Sequence, residues 1–228
     1  MARAAIIIRG GAIAMIVQLI AYASALTAIN PAGAEPTEEL EFQSASQVNE
    51  GPLTFLGKQP AKPVHHHQNR IRLDNASLST GWVSLTQCHD NLDQVLRAQI
   101  TFREGFVRDL KVVSSSQIES AWIEDASVQL RNVGAGARLC IEAQTQALKN
   151  AGNGYFNLAN GPFMRKFLDG YYPMRVSMDI DYPAGLLKLV DISPIQQTGF
   201  DIRLEPGRIR LEALFEGELR TLLQFERL

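Results

Sequence analysis

The four histidines are the residues of this chain best suited to bind a metal ion. His65, His66 and His67 are consecutive, and His89 is the remaining one. Because alternate residues of an extended segment share one face, His65 and His67 would point the same way, and His89 would join them if this segment folds back. The first interpretation is a polar run that binds no cofactor. The alternative is a zinc or copper site on His65, His67 and His89, since imidazole nitrogens are common ligands of both metals.

The sequence assembles no recognisable catalytic set. Cys88 and His89 are neighbours, and neighbours on a strand point to opposite faces, so they cannot act together as nucleophile and base. The G-x-S-x-G nucleophile elbow does not occur. Asp179 and Asp181 would share one face of a strand, but alternate acidic residues are common on a solvated face. The sequence therefore favours a protein that is not an enzyme.

Cys88 and Cys140 are the only cysteines, and an even count in an exported chain predicts one disulfide. It would close a loop of about 50 residues. Alternation places Cys88 with Ser84 and Cys140 with Arg138, so the bridge is expected on a polar face, towards the surface. The alternative is two buried free thiols.

The segment from Tyr155 to Tyr182 is the most aromatic part of the chain. Tyr171 and Tyr172 point in opposite directions if the chain is extended there, so at least one would be exposed. Together with Arg165 and Arg175 they are the predicted ligand-binding residues, for a glycan, a peptide or a lipid. The alternative is that the aromatic rings pack against a sheet.

The first 34 residues are typical of a secretory signal. Arg3 and Arg9 are followed by an apolar run over 10–29, and Pro31 precedes the small residues 32–34. The predicted mature chain begins after residue 34 and is periplasmic or secreted. The alternative is an uncleaved membrane anchor, because about 20 apolar residues can span a bilayer.

The charge balance excludes some classes of partner. Removal of Arg3 and Arg9 with the signal leaves 20 basic and 24 acidic residues, a net charge of −4. Such a chain has no basic surface for nucleic acid and no polybasic cluster for anionic lipid. After cleavage no stable membrane span is expected.

Residues 35–69 are predicted to be a flexible tether, because prolines stand among Glu, Gln and Ser without a sustained period. From residue 70 to 228 apolar residues alternate with polar ones, as in Met174 to Asp181, and the last three strands have the spacing of a meander. This pattern predicts an all-β domain, mainly an antiparallel sandwich or barrel-like sheets.

One short helix is predicted near 162–169. Pro162 can begin it, Gly170 can end it, and Phe163 and Phe167 lie four residues apart. This helix would link two smaller β subdomains, about 70–150 and 171–228, if the domain is divided.

The combined prediction is an exported, non-enzymatic β-rich binding or assembly module of the cell envelope, with an envelope protein, a glycan or a lipid as its partner. A periplasmic metal-binding protein that uses the histidines is the first alternative. A hydrolase of envelope polymers is the second, and a concave pocket with two facing carboxylates would favour it.

Overall fold

The computed structural model describes residues 5–6, 51–167 and 170–228. Most of this part of the chain is in strands, and the helix that it contains, α1 (Ser77–Thr80), is a single turn. Apart from residues 5–6, the predicted signal peptide (1–34) lies outside the described residues, as do residues 35–50 of the predicted tether. Over the described ranges, no helix has the length and apolar character needed to cross a bilayer.

The strands are, in chain order, β1 (Ala5–Ile6), β2 (Thr54–Phe55), β3 (His66–Arg72), β4 (Trp82–Leu92), β5 (Val95–Thr101), β6 (Val107–Glu124), β7 (Ser127–Gln146), β8 (Leu148–Gly152), β9 (Tyr155–Phe163), β10 (Lys166–Phe167), β11 (Gly170–Tyr171), β12 (Met174–Asp181), β13 (Leu187–Ser193), β14 (Phe200–Glu205), β15 (Arg208–Glu216) and β16 (Leu219–Arg227).

The long strand β7 is the axis of a ten-stranded sheet. One edge of β7 pairs with β5 and then with β4, and the other edge pairs with β6. From β4 the sheet continues through β3, β12 and β15 to β14, its last strand. The β3–β12 pairing is parallel, and the neighbouring pairings β3–β4 and β12–β15 are antiparallel. The predicted all-β class is therefore confirmed.

A second sheet of four strands, in the order β13, β16, β9 and β8, packs against one face of the large sheet. The core between the two sheets is one cluster of buried apolar side chains that both contribute, such as Ile180 and Leu211 from the large sheet and Leu158 and Leu223 from the small one. Each such side chain, when fully buried, stabilises the fold by about 1.5–3 kcal/mol. We call the core-facing side of the large sheet its inner face and the other side its outer face.

Period-two alternation explains why these segments form half-buried strands. In β12 every second side chain, beginning with Met174, is buried, and the residues between them are partly exposed. The C-terminal segments also form strands, but the predicted meander is only partly right: β14 pairs with β15, whereas β16 belongs to the small sheet. Alternation gives the faces of a strand but does not say which sheet a strand joins.

The tether and subdomain boundaries differ from those expected. His66 to Asn69, predicted to be tether, are the first residues of β3, which lies inside the large sheet between β4 and β12. Because β3 and β4 come from the first predicted subdomain and β12 from the second, both subdomains contribute to the same sheet. The strand β3 is not evident from the sequence, because prolines precede it and because its partner β12 lies more than 100 residues further along the chain.

The helix predicted near 162–169 is wrong in position. Pro162 and Phe163 end β9, and Phe167 belongs to β10, which pairs with β11. Spacing of four is two full periods of a strand as well as about one turn of a helix, so Phe163 and Phe167 fit both patterns. Gly161 also departs from helical geometry, with φ of +94°, and a Cβ there would lie 2.6 Å from the Leu219 carbonyl oxygen of the neighbouring strand.

Candidate functional site

The consecutive histidines alternate between the two faces of the large sheet. His65 and His67 point into the core and are each 4 % exposed, while His66 points to the outer face and is half-buried. His89, on the neighbouring strand β4, is fully buried and lies directly opposite His67. The structure thus brings His65, His67 and His89 together in the interior.

These histidines form a hydrogen-bonded group with two amides, which we call the histidine cluster. His65 Nε2 lies 2.9 Å from His89 Nδ1, and His89 Nε2 lies 2.7 Å from the Gln87 amide nitrogen. His67 Nε2 lies 2.9 Å from Asn69 Oδ1. The rings of His67 and His89 meet edge to face with centroids 4.5 Å apart. Every member of the cluster therefore has a polar partner, as a buried polar group requires.

The hydrogen bonds fix the proton positions. Because the Gln87 amide donates to His89 Nε2, His89 carries its proton on Nδ1 and donates it to His65 Nε2. His67 donates from Nε2 to Asn69. Burial lowers the pKa of His65 to about 4 and that of His67 to about 3, and it holds the pKa of His89 well below 6.5. All three rings are therefore neutral at pH 7.

The cluster does not have the arrangement of a metal centre. Both ring nitrogens of His89 take part in hydrogen bonds, to His65 and to Gln87. Within the ranges that the structure covers, no group of three or more His, Cys, Asp or Glu side chains has the geometry to hold a metal ion. A metal would have to break these hydrogen bonds first, so zinc or copper binding stays a prediction from sequence spacing.

Three of the four predicted ligand-binding residues lie together on or directly beside the paired strands β10 and β11. Arg165 forms two hydrogen bonds with the Asp93 carboxylate, at 2.9 and 2.7 Å, and its guanidinium lies 5.3 Å from the ring centroid of Tyr172. Tyr171 contacts Lys166, whose Nζ lies 4.8 Å from the ring centroid. Arg165 and Asp93 line a small cavity of about 30 Å³ next to His65, too small for a ligand larger than water.

Arg175, the fourth predicted residue, is on the outer face of the large sheet. It pairs with Glu212 at 3.0 Å and lines a hollow of about 540 Å³. A second hollow of about 400 Å³ adjoins it, and Arg70 and Thr86 line both. We call the two hollows together the outer trough.

The outer trough carries charges of both signs in near balance. Its lining includes six cationic and five acidic side chains from six strands: Arg70, Arg72, Lys111, Arg175, Arg203, Arg210, Asp109, Glu142, Asp179, Asp201 and Glu212. No Phe, Tyr or Trp is among the described residues that line it. A trough of this composition suits a polar ligand with charges of both signs.

Three of the acidic groups of the outer trough, Glu142, Asp179 and Glu212, form short ion pairs with cations. Glu142 pairs with Lys111 at 2.9 Å, and Arg208 donates to the Asp179 carboxylate at 2.7 Å. The hydrogen bond from Arg208 holds the pKa of Asp179 below its usual value. A general acid needs the opposite shift, so Asp179 is unsuited to protonate a leaving group.

Two rows of the outer trough place like charges directly opposite each other. In the β14–β15 pair, Arg203 faces Arg210 and Asp201 faces Glu212. Like charges opposite each other on one face destabilise a sheet. Each row also has an opposite charge beside it, because Glu205 pairs with Arg210 and Arg175 pairs with Glu212.

The disulfide is confirmed. Cys88 and Cys140 are directly opposite on β4 and β7, with Cα atoms 4.1 Å apart, and they are bonded. The bridge lies on the outer face, where Cys88 lines the outer trough.

Sequence reasoning found this bridge and the shared face of Asp179 and Asp181. It missed the trough, because charged residues on a solvated face look alike until the register of six strands is known.

Comparison with known proteins gives little further guidance. No protein-family model and no curated protein matches this chain. Among solved structures, the chain is similar to a Legionella pneumophila protein that is named, provisionally, as a nutrient binding protein, with 10% sequence identity over 78% of this chain and 68% of that one. The TM-score of 0.37 is too low for this likeness to support an argument about fold or ligand.

Proposed function

We propose that this chain is an exported, non-enzymatic binding module of the cell envelope, and that it binds a polypeptide partner in the outer trough. The observation that carries the proposal is the trough itself, about 540 and 400 Å³ in adjoining hollows, lined by charges of both signs. A polypeptide can present both signs along one segment. A lipid would need an apolar lining, and a glycan would be better served by aromatic rings.

Binding explains the trough better than hydrolysis does. Carboxylates do face this concave surface, which is the feature expected of a hydrolase of envelope polymers. However, Glu212 is paired with Arg175 and Asp179 with Arg208, so these carboxylates are engaged as ion pairs. The lowered pKa of Asp179 also keeps it ionised. These pairings favour recognition of charge over acid–base chemistry.

Two observations support export. The N-terminal residues are typical of a signal sequence. The Cys88–Cys140 disulfide is typical of proteins that fold in an oxidising compartment, such as the periplasm or the extracellular space.

The proposal is tested by reversing one charge that both hollows share. The tagged chain is expressed in its native cells, crosslinked mildly, and isolated for mass spectrometry. Arg70→Glu is the test variant, because Arg70 lines both hollows. Arg220→Glu, on the small sheet, is the matched control. Both arginines are about half exposed, 54% and 49%, and each is paired with one acid, Asp181 or Glu218.

The expected result is a crosslinked protein that Arg220→Glu retains and Arg70→Glu loses. Capture of a protein by the wild-type chain alone does not support the proposal. A partner that both variants retain equally places the binding surface elsewhere. Isolation of the wild-type chain without a protein partner also overturns the proposal.

A further inference from the structure

The edge strands of the two sheets are not equally protected. An exposed edge can pair with a further strand, and bulges are one device that prevents this. Over the described residues, three of the longer edge strands have a break in register: β6 at three places, β8 near Gly152 and β13 near Val190. The fourth, β14, pairs with β15 without a break over its whole length.

The hydrogen-bonding groups on the free edge of β14 can be assigned. The amide of Leu214 donates to the Gly199 carbonyl at 2.9 Å, so the Gly199 carbonyl points towards β15. Groups alternate along a strand, so those of Asp201, Arg203 and Glu205 also point towards β15, and those of Ile202 and Leu204 point away. Consistent with this, both backbone groups of Phe200 bond to Gln197 and not to β15.

The free edge therefore presents four backbone groups, the N–H and C=O of Ile202 and Leu204, to which no strand of the described chain is paired. The Leu204 side chain is 60% exposed beside them. On the outer face of the same strand, Asp201 and Arg203 line the outer trough, and Glu205 pairs with Arg210 at 2.7 Å. An added strand would thus reach the trough with alternate side chains.

The charges of β14 disfavour a second copy of this chain at that edge. Two copies that pair antiparallel and use all four groups place Ile202 opposite Leu204. Arg203 then meets its own copy, and Asp201 meets Glu205. Three contacts between like charges result, and each is destabilising.

The same charges specify the strand that fits. We propose that β14 binds an extended polypeptide segment with the pattern basic–apolar–acidic–apolar–basic as an additional strand of the large sheet. Its acidic residue faces Arg203, and its basic residues face Asp201 and Glu205. The pattern is the same in both directions, so it fits parallel and antiparallel strands. Opposite charges on the open side of β14 also offset the like-charge contacts that Arg203 and Asp201 make with β15. This inference rests on the proposed function, because it names the segment of the partner.

The probe is a synthetic peptide with the central sequence lysine-valine-glutamate-valine-lysine, flanked by serines and labelled for fluorescence anisotropy. The control peptide has the order lysine-valine-lysine-valine-glutamate and thus the same composition. The full chain is expected to bind the first peptide at least about tenfold more tightly, because the control turns two attractive contacts into repulsive ones. Equal binding of the two peptides overturns the inference.

Variants of β14 locate the peptide on the chain. Leu204→Pro removes an N–H that points away from β15, a change that an edge strand tolerates, and it is expected to weaken binding about tenfold or more. Leu204→Thr keeps the N–H and is the matched control, expected within about threefold of wild type. Arg203→Glu is expected to prefer a peptide with lysine at its centre. Unchanged binding by Leu204→Pro overturns the inference.

The two proposals fail in different ways. If the peptides do not bind and Arg70→Glu still loses the native partner, the trough is the binding surface and the β14 inference is wrong. If the peptide binds to β14 and Arg70→Glu still retains the native partner, the β14 edge is a docking site and the trough is not.

Discussion

Neighbouring histidines at the start of β3 have side chains in opposite environments. His65, immediately before β3, and His67, within it, lie in the interior, where each needs a protein partner for its ring nitrogen. His66 lies on the outer face, where its Nε2 is 2.6 Å from Ser177 Oγ and charged groups such as Arg175 and Glu212 surround it. On the inner face, buried polar groups form hydrogen bonds with one another, and these bonds stabilise a single arrangement of the core. On the outer face, polar groups interact with water and in ion pairs. Charges there can therefore change with little effect on folding, and they are available for a partner.

The largest effect expected from this difference is loss of stability in acid. His65 and His67 have native pKa values of about 4 and about 3, and 6.5 when the chain is unfolded. Below pH 6.5 the unfolded chain therefore binds more protons, and each histidine costs about 1.4 kcal/mol of stability per pH unit. The full stability is present above pH 6.5. It falls as the pH drops below that value, and the two histidines together lower it by on the order of 5 kcal/mol at pH 4.5. Urea unfolding followed at several pH values measures it.

Matched variants on the same strand sharpen the acid test. His67→Gln cannot bind the proton, so the slope of stability against pH below 6.5 is expected to fall by about 1.4 kcal/mol per unit. His66→Gln is the control on the outer face, where water reaches the ring, and it is expected to change the slope less. Equal slopes for wild type and His67→Gln would show that the interior histidine is protonated without cost.

The second-largest effect belongs to the outer face and is covalent. The Cys88–Cys140 bridge joins residues 52 apart in sequence across β4 and β7. Replacement of both cysteines by serine is expected to lower the free energy of unfolding by about 4 kcal/mol, because the unfolded chain loses the constraint of a long loop. Chemical denaturation of the double variant measures the loss. A change below about 1 kcal/mol would contradict this account of the bridge.

The sequence predicted the fold class well because alternation is a local property. Met174, Val176 and Met178 show one buried face by spacing alone, and the structure buries all three. Phe163 and Phe167 were assigned to a helix wrongly, since spacing of four fits a strand and a helix equally. Local patterns of this kind cannot be separated without knowledge of the neighbouring strand.

The candidate site was less predictable because it depends on pairing over long distances. Alternation placed His65 and His67 on one face, but their polar character suggested a solvated run and not the core. Their burial follows from the position of β3 between β4 and β12. The like-charge contact between Arg203 and Arg210 becomes visible only from the register of β14 with β15. No window of sequence contains that information.

Two glutamine substitutions test the difference between the faces without changing the net charge of the chain. Gln87, on the inner face, is 1% exposed and donates to His89, whereas Gln68, on the outer face, is half-buried and donates to Asp90. Gln87→Leu leaves His89 Nε2 without its donor and is expected to cost about 1–3 kcal/mol. Gln68→Leu is expected to cost less than about 1 kcal/mol, because water replaces the lost bond. Similar losses for both variants in denaturant unfolding would remove the distinction between the two faces.

The smallest effect is expected from removal of metal ions. If the histidine cluster is held by its own hydrogen bonds, a chelator has no metal ion to remove from it. The thermal midpoint of the untagged protein should then shift by less than about 1 °C. A loss of 1 kcal/mol would shift the midpoint of a chain of this size by about 2–4 °C. The reason is specific to His89, because both of its nitrogens are engaged, by His65 and by Gln87. A chelator-induced drop of several degrees, absent from a His65→Ala, His67→Ala variant, would instead mean that a zinc or copper ion takes the place of those hydrogen bonds. The inner face would then be a ligand site in its own right, beside the outer trough.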